Sequence, residues 1–266
     1  MSRNILAARN IEQLRAFGAS GALLAFDFDG TLAPTQGAAH AARMRDETAE
    51  LFRSLAHAAP VAVISGRSVL DVTARLEGAP LLAVIGNHGA EPSPFAKRAA
   101  REVAAWLPQL AAVVGSLPGV EIDAKGQSVS VHYARSGDPR GVIAAIESLV
   151  PTLAHRVTLV PGIGLVNLVP KGAPNKGDAV TTLLRTHGMP GVVFVGDELT
   201  DESAFRVASP PHSAGIRVGR WTESAASHYI PAQQDIDALL TELLIGCTRP
   251  RRAVSSARTM DVAGYA

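Results

Sequence analysis

The chain has 266 residues and one cysteine, Cys247. A single cysteine excludes an internal disulfide framework and suits a reducing compartment, so a cytoplasmic setting is expected. An excess of one charge is also lacking: 25 Lys and Arg against 24 Asp and Glu leave a formal net charge of +1. That balance points to neither nucleic acid nor a membrane surface as a partner. No apolar run approaches ~18 residues, so no membrane span is expected. The start, Met1-Ser2-Arg3-Asn4, leads into a helical-looking 5–17 and not into an apolar secretion segment. Internal repeats are absent as well. The expectation is a soluble, monomeric, cytoplasmic enzyme of one large or two small domains. Its apolar fraction, 47%, is enough for a substantial core.

Short apolar runs at 23–27, 61–65, 82–85, 192–196 and 215–218 read as strands. Helical patterns at 46–58, 68–76, 177–187 and 201–208 separate them. This alternation predicts an α/β fold, a doubly wound parallel-sheet, Rossmann-like core. The stretch 92–170 reads differently, as helix 97–114, strands 120–124 and 128–133, helix 139–149, and a second hairpin, 157–160 with 165–169, turning across Pro161-Gly162. It predicts an inserted α+β cap domain between core segments 1–91 and 171–246. Residues 247–266 are expected to be a flexible tail.

Four strand ends or helix starts carry chemistry. The run Ala22-Leu23-Leu24-Ala25-Phe26 is followed abruptly by Asp27-Phe28-Asp29-Gly30-Thr31. Two carboxylates at the end of a buried parallel strand are costly unless a cation or ligand meets them, and ligands of such sheets bind outside the strands' carboxyl ends. Gly30 permits a turn that brings backbone N–H groups near an anion. Ser65-Gly66-Arg67 ends the second strand: a hydroxyl and an N–H suit phosphate oxygens, and Arg67 suits phosphate or a sugar hydroxyl. Taken alone, Ser-Gly is more often an ordinary turn followed by a helix. Lys176 opens a helix, where a bound phosphate would relieve its misfit with the helix dipole, although a solvated loop lysine is the plainer reading. The fourth station is Gly196-Asp197-Glu198-Leu199-Thr200-Asp201-Glu202. First-turn helix charges account for Asp201 and Glu202 but not for Asp197. Asp27, Asp197 and the Asp29 carbonyl are hard oxygen ligands suited to Mg²⁺. A phosphate monoester adds a charge of about −1.5 to −2, which Mg²⁺, Lys176, Arg67 and N–H donors balance.

These four stations resemble those of the haloacid dehalogenase phosphatase superfamily. Within it, the chain resembles the trehalose-6-phosphate phosphatase family through ISGR at 64–67, NHGAE at 87–91, VSVHY at 129–133, VPKGAPNKG at 169–177, GDELTDESAF at 196–205 and IRVG at 216–219. The resemblance implies hydrolysis of trehalose 6-phosphate through an aspartyl-phosphate. Asp27 is the implied nucleophile and Asp29 the general acid/base. Asp27, Asp29 and Asp197 are the implied Mg²⁺ ligands, Gly30, Ser65, Gly66 and Lys176 the phosphate ligands, and Glu198 and Asp201 supporting groups. The sugar, a phosphorylated disaccharide, is expected to meet Arg67, Asn87, His88, Asp123, Lys125, His132 and Asn167. Glu198 replaces the family's usual Asp, Asp123 its usual Glu, Asn167 its usual acid, and Ala134 separates His132-Tyr133 from Arg135. The cap changes fall where the sugar is read, so a same-fold phosphatase acting on another sugar phosphate is the alternative. Trp106, at helical spacing with Val103, Leu107 and Leu110, reads as core.

Overall fold

Alternating apolar and helical segments do fold into two layers of helix around a parallel sheet. In this computed structural model, which describes residues 2–35, 42–153, 157–162, 164–208 and 212–248, the chain begins with β1 (Arg3–Asn4), α1 (Ile11–Ala19), β2 (Leu23–Phe26), α2 (Asp46–Ala58), β3 (Val61–Ile64), α3 (Val69–Arg75) and β4 (Ala83–Ile85). Next come α4 (Phe95–Val114), β5 (Glu121–Ala124), β6 (Val129–His132), α5 (Pro139–Leu149), β7 (Val157–Gly162) and β8 (Leu165–Pro170). The chain returns with α6 (Lys176–His187), β9 (Val192–Gly196), α7 (Glu202–Val207), β10 (Ala214–Val218), β11 (His228–Ile230) and α8 (Ile236–Thr248).

The larger sheet has seven strands in the order β1-β11-β10-β9-β2-β3-β4, and every neighbouring pair is parallel. Its central strands are buried on both faces, so their side chains feed two cores in alternation. Leu24 and Phe26 of β2 pack with Phe52, Leu55 and Leu240 from α2 and α8. Leu23 and Ala25 pack with Val180, Leu183 and Phe205 from α6 and α7. Because β9, β2 and β3 are adjacent, their carboxyl ends set Asp197, Asp27 and Ser65 side by side.

The smaller sheet is antiparallel, in the order β5-β6-β8-β7. Val129, Val131, Val166 and Leu168 turn toward Val103, Trp106, Leu110, Val142 and Ile146 of α4 and α5. Trp106 is thus core. The opposite face carries a polar row, in which Asp123 pairs with Ser130 and Ser130 with Asn167. Ser130 and Asn167 are buried although they lie on the face away from the helices.

Several sequence expectations shift. Residues 5–17 are not one helix: β1 precedes them on the edge of the sheet, a 3₁₀ turn occupies Ala8–Asn10, and α1 starts at Ile11. Pairing with β11, distant in sequence, extracts Arg3–Asn4 as a strand. Pro161 and Gly162 do not form the second hairpin's turn but pair with Val166 and Leu165 inside the ladder; as the last residues of an edge strand they tolerate a proline that cannot donate to a central ladder. Cys247 and Thr248, expected in the tail, belong instead to α8, and the Cys247 thiol donates to the Gly18 carbonyl. Residues 249–266 lie outside the described residues. Among the described residues, no helix is long and apolar enough to cross a membrane.

Candidate active site

β2 ends at Phe26, and Asp27 N–H continues the sheet pattern by donating to the Val195 carbonyl of β9 (2.9 Å). This bond aims the Asp27 side chain off the strand's end. Its Oδ1 accepts from Phe28 N–H (2.7 Å), and its Oδ2 meets Lys176 Nζ at 2.8 Å. Lys176 is also 2.7 Å from Asp201 Oδ1. The lysine is 1% exposed, so the solvated-loop reading of it fails. It enters the site because Asn175 and Asp178 form a capping box that starts α6 there, and because Gly177 packs without a Cβ against the Ser203 backbone. Burial works against the charged ammonium, but Asp201 and Asp27 raise its pKa above the ordinary value.

Asp197 follows β9. Its Oδ1 accepts from Thr31 Oγ1 (2.9 Å), and its carboxylate lies where a Cβ on Gly30 would be. Gly30 also has φ +75°, a conformation that glycine adopts without strain. Space for Asp197 and a tight turn therefore explain this glycine. The anion-binding N–H expected of it is spent on the Ala33 carbonyl (2.7 Å), which closes that turn.

Asp27, Asp197 and Asp201 each place a carboxylate oxygen within 4.8 Å of the others. Asp201 is the least free of them: Oδ1 takes Lys176 and Oδ2 takes the Glu198 N–H (2.8 Å). Burial pushes the Asp27 carboxyl well up, with Asp201, Asp197 and Glu198 adding repulsion that Lys176 only partly opposes. Burial and the Asp201 and Glu198 carboxylates push Asp197 up to about 8. Glu198 is raised by burial as well. A buried acid cluster facing one buried lysine is short of positive charge. Its donors are all hard oxygens, so the residues present fit a divalent cation.

Asp201 and Glu202 do stand in first helical turns, but they are buried, being 0% and 5% exposed. Tertiary partners capture both: Lys176 holds Asp201, while Glu202 accepts from Ser224 Oγ, Ala225 N–H and Arg217 Nη1 (2.7, 2.7 and 3.2 Å). Arg217, on β10, also donates to the Glu198 carbonyl (3.3 Å) and to the Asp197 carbonyl, and its guanidinium stacks over Trp221. It thus ties down the backbone that presents Asp197. Sequence reasoning missed this support; its one local sign was a charged residue within an otherwise apolar buried strand.

On the other side, Ser65 is fully buried and its Oγ accepts from Arg67 N–H (3.1 Å). The His88 ring lies so close over Gly66 that a Cβ there would strike it. Arg67 does not reach outward for a sugar. It forms a bidentate pair with Asp29 (2.6 and 2.7 Å) and a further bond to Asp71 (2.7 Å), because Asp71 stands one helical turn away and is itself held by Arg75. Asn87 is not an open sugar contact either. Its Oδ1 accepts from Ser128 Oγ (3.0 Å) and its Nδ2 donates to Glu91 (2.9 Å), so it pins the β5–β6 hairpin to the larger sheet's loops. Asn167 is 2% exposed and accepts from Ser130 Oγ (2.6 Å), which explains why a neutral residue suffices where an open acid was the expected type. Asp123, Lys125 and His132 do gather, with Lys125 Nζ and His132 Nε2 at 3.9 and 4.0 Å from Asp123 Oδ2. Burial lowers the Lys125 pKa, against the attraction of Asp123, Asp29 and Glu198.

A mostly parallel sheet with acids at adjacent strand ends and a four-stranded unit inserted after β4 is the haloacid dehalogenase-like hydrolase fold. A solved Bacteroides thetaiotaomicron hydrolase of that class aligns with a TM-score of 0.60 at 16% identity, covering 83% of this chain and 98% of its own. The family is narrower: residues 25–235 match the Trehalose-phosphatase profile, and the chain belongs to that family. It is 34% identical over 228 residues to the trehalose-phosphate phosphatase of Mycobacterium bovis, covering 75% of this chain. The chain spans 56% of that relative's length. The C-terminal domain of C. albicans trehalose-6-phosphate phosphatase aligns with a TM-score of 0.73 at 18% identity, covering 92% of this chain and 98% of its own.

Proposed function

We propose that this chain is a Mg²⁺-dependent phosphoric monoester hydrolase that releases phosphate and trehalose from trehalose 6-phosphate. The observation that carries this reading is the Asp27–Lys176–Asp201–Asp197 cluster, in which a nucleophile-ready carboxylate sits among groups able to hold a cation and a phosphoryl group. Family membership and the M. bovis relative support the substrate. Residues 92–170 act as the cap over a core of 1–91 and 171–246, and the enzyme works as a cytoplasmic monomer.

Asp27 attacks phosphorus in line: its Oδ–P bond forms as the P–O bond to the sugar breaks, giving an aspartyl-phosphate. Asp29, once it has left Arg67 and taken up a proton from solvent, gives that proton to the departing sugar oxygen, then takes one from the water that cleaves the Asp27–phosphate bond. Asp29 must exchange Arg67 for substrate before it can do so, since both its oxygens are engaged in the pair. Lys176, Ser65 and Gly66 hold the phosphoryl oxygens. Asp27, Asp197 and the Asp29 carbonyl would hold Mg²⁺, which when bound offsets the repulsion between carboxylate and phosphate and polarises the phosphoryl group. Asp201 keeps Lys176 in place.

A substrate panel tests this reading. With Mg²⁺, phosphate release from trehalose 6-phosphate exceeds that from glucose 6-phosphate and sucrose 6-phosphate by at least about tenfold in kcat/KM, the range one missing sugar contact yields. A preference for another sugar phosphate would leave the chemistry standing and overturn the trehalose assignment.

Metal and pH are linked. An acid whose folded-state pKa is raised, as Asp197 is from 3.8 to about 8, contributes stability below its unfolded value and loses it as pH climbs toward the folded value. Metal-free protein therefore loses Tm between about pH 4 and 8. Because Mg²⁺ competes with the same proton, its increment in Tm is small at pH 5 and largest near pH 8. An increment that does not grow with pH, measured by thermal unfolding with and without added Mg²⁺, counts against these ligands.

A further inference from the structure

Behind the acid cluster lies a buried ion pair to which the chemistry above gives no part. Arg217 and Glu202 stand 3.2 Å apart, with side chains 12% and 7% exposed. Such a pair is costly unless its other donors and acceptors are matched as well, and here they are. Arg217 sits on β10 opposite Gly196, the last residue of β9, and Glu202 opens α7. The guanidinium spends its fork on backbone. Nη1 donates to the Glu198 carbonyl (3.3 Å) as well as to Glu202, and Nη2 donates to the Asp197 carbonyl. Glu202 is held from its far side by Ser224 Oγ and by Ala225 N–H, both at 2.7 Å. The Trp221 ring lies 5.0 Å from the guanidinium carbon. The segment 197–202 is therefore gripped from both sides. Lys176 holds it from within the site, through Asp201. Arg217 holds it from behind, through two consecutive carbonyls.

We propose that Arg217, oriented by Glu202, is a positioning residue for the divalent cation: it fixes the backbone from which Asp197 reaches into the cluster, and so sets the affinity of the site for Mg²⁺ without touching the ion. The assignment rests on the Mg²⁺ reading above and deepens it. A carboxylate ligand is only as well placed as the groups that orient it, and Mg²⁺ demands near-ideal geometry. Contacts of the Asp197 side chain do only part of this work. Thr31 Oγ1 donates to its Oδ1 (2.9 Å), while Asp201 and Glu198 repel it. Repulsion among the metal-free acids favours an outward turn of Asp197, and a carbonyl fixed from behind resists that turn. The task suits arginine. A planar fork of five donors meets two carbonyls and a carboxylate together, whereas an ammonium is a compact point charge on a flexible stem. Because Arg217 and Glu202 cancel in charge, their effect on a cation is geometric.

The test is calorimetric titration of metal-free protein with Mg²⁺ near neutral pH, in wild type, Arg217→Lys, Ser224→Ala and Asp237→Asn. Arg217→Lys keeps the charge and loses the fork. Its dissociation constant for Mg²⁺ rises about tenfold or more, the range for groups that orient a ligand from behind. Ser224→Ala removes one donor from Glu202 and raises the constant by less, in the same direction. The Mg²⁺ concentration giving half-maximal phosphate release rises in parallel, while KM for trehalose 6-phosphate at saturating Mg²⁺ stays within about twofold. Asp237 belongs to α8 and pairs with Arg45 at 2.8 Å, on the face of the sheet that α2 and α8 cover. Asp237→Asn therefore lowers Tm alone and leaves the Mg²⁺ constant as in wild type. An Arg217→Lys protein that binds Mg²⁺ as wild type does, whatever its Tm, overturns the proposal. So does an equal weakening in Asp237→Asn, which would belong to lost stability in general. Should Arg217→Lys fail to fold, Ser224→Ala decides, and an unchanged constant there overturns the proposal. Wild type that takes up no Mg²⁺ would defeat the cation reading itself, and this inference with it.

Discussion

Asp27→Asn lowers phosphate release by about 10⁴-fold or more, the range in which losing a covalent nucleophile falls, while the protein stays folded. The size follows from the site. Asp27 Oδ2 is 2.8 Å from Lys176 and its carboxylate is 4% exposed, so no neighbouring carboxylate occupies the same line of attack. Asp29 is turned onto Arg67, and Asp201 has both oxygens engaged. The substitution preserves shape but asks an NH₂ group to face either Phe28 N–H or Lys176, a loss of about 1–3 kcal/mol. Removal of one negative charge from among Asp197, Asp201 and Glu198 offsets part of that loss. Circular dichroism melts and a phosphate-release assay read the two effects separately. A folded variant retaining a tenth of wild-type turnover would remove Asp27 from the nucleophile's role.

Lys176→Met lowers folding stability by about 3–5 kcal/mol at pH 7.5, the usual consequence of removing one partner from a buried ion pair. Both its partners are buried carboxylates, at 2.7 and 2.8 Å, and neither has another cation in direct contact among the described residues. The loss shrinks toward pH 5. There the acids left without their counter-charge take up protons, and the penalty for burying them ionised disappears. Added Mg²⁺ recovers part of the stability at pH 7.5, because a divalent ion can replace the missing charge. Urea unfolding at the two pH values, with and without Mg²⁺, measures all three. Wild-type stability in the metal-free variant at pH 7.5 would mean that the acids are not ionised together, and the charge argument for a cation site would fall with it.

Some features were readable along the chain because their causes are local. An apolar run that stops at a polar residue marks both a buried strand and the place where a ligand must meet its end; β9 ends where the pattern says, and β2 and β3 end one residue before it. Lys176 at the start of α6 was legible too, and its cause is local, the Asn175–Asp178 capping box. Alternation of Val129, Val131 and Tyr133 with Ser128, Ser130 and His132 assigned the two faces of β6 correctly.

Other features depend on partners far away in sequence. Glu202 read as a helix-start charge until Arg217, Ser224 and Ala225 claimed it. Asn87 and Asn167 have the donors and acceptors of sugar-binding residues, but Ser128 and Ser130 occupy them. Arg67 has the chemistry of an outward-reaching phosphate or sugar contact, and Asp29, 38 residues earlier, folds it back.

By itself the sequence determined the chemistry available to this protein: which strand ends carry acids, where a lysine and a hydroxyl stand ready, and that an α+β unit interrupts a parallel sheet. Those follow from residue type and short-range period. Only the tertiary structure decided which of the polar groups remain open. A hydrogen-bonding atom has few bonds to give, and whether a buried partner or a ligand receives them depends on how separate strands come together.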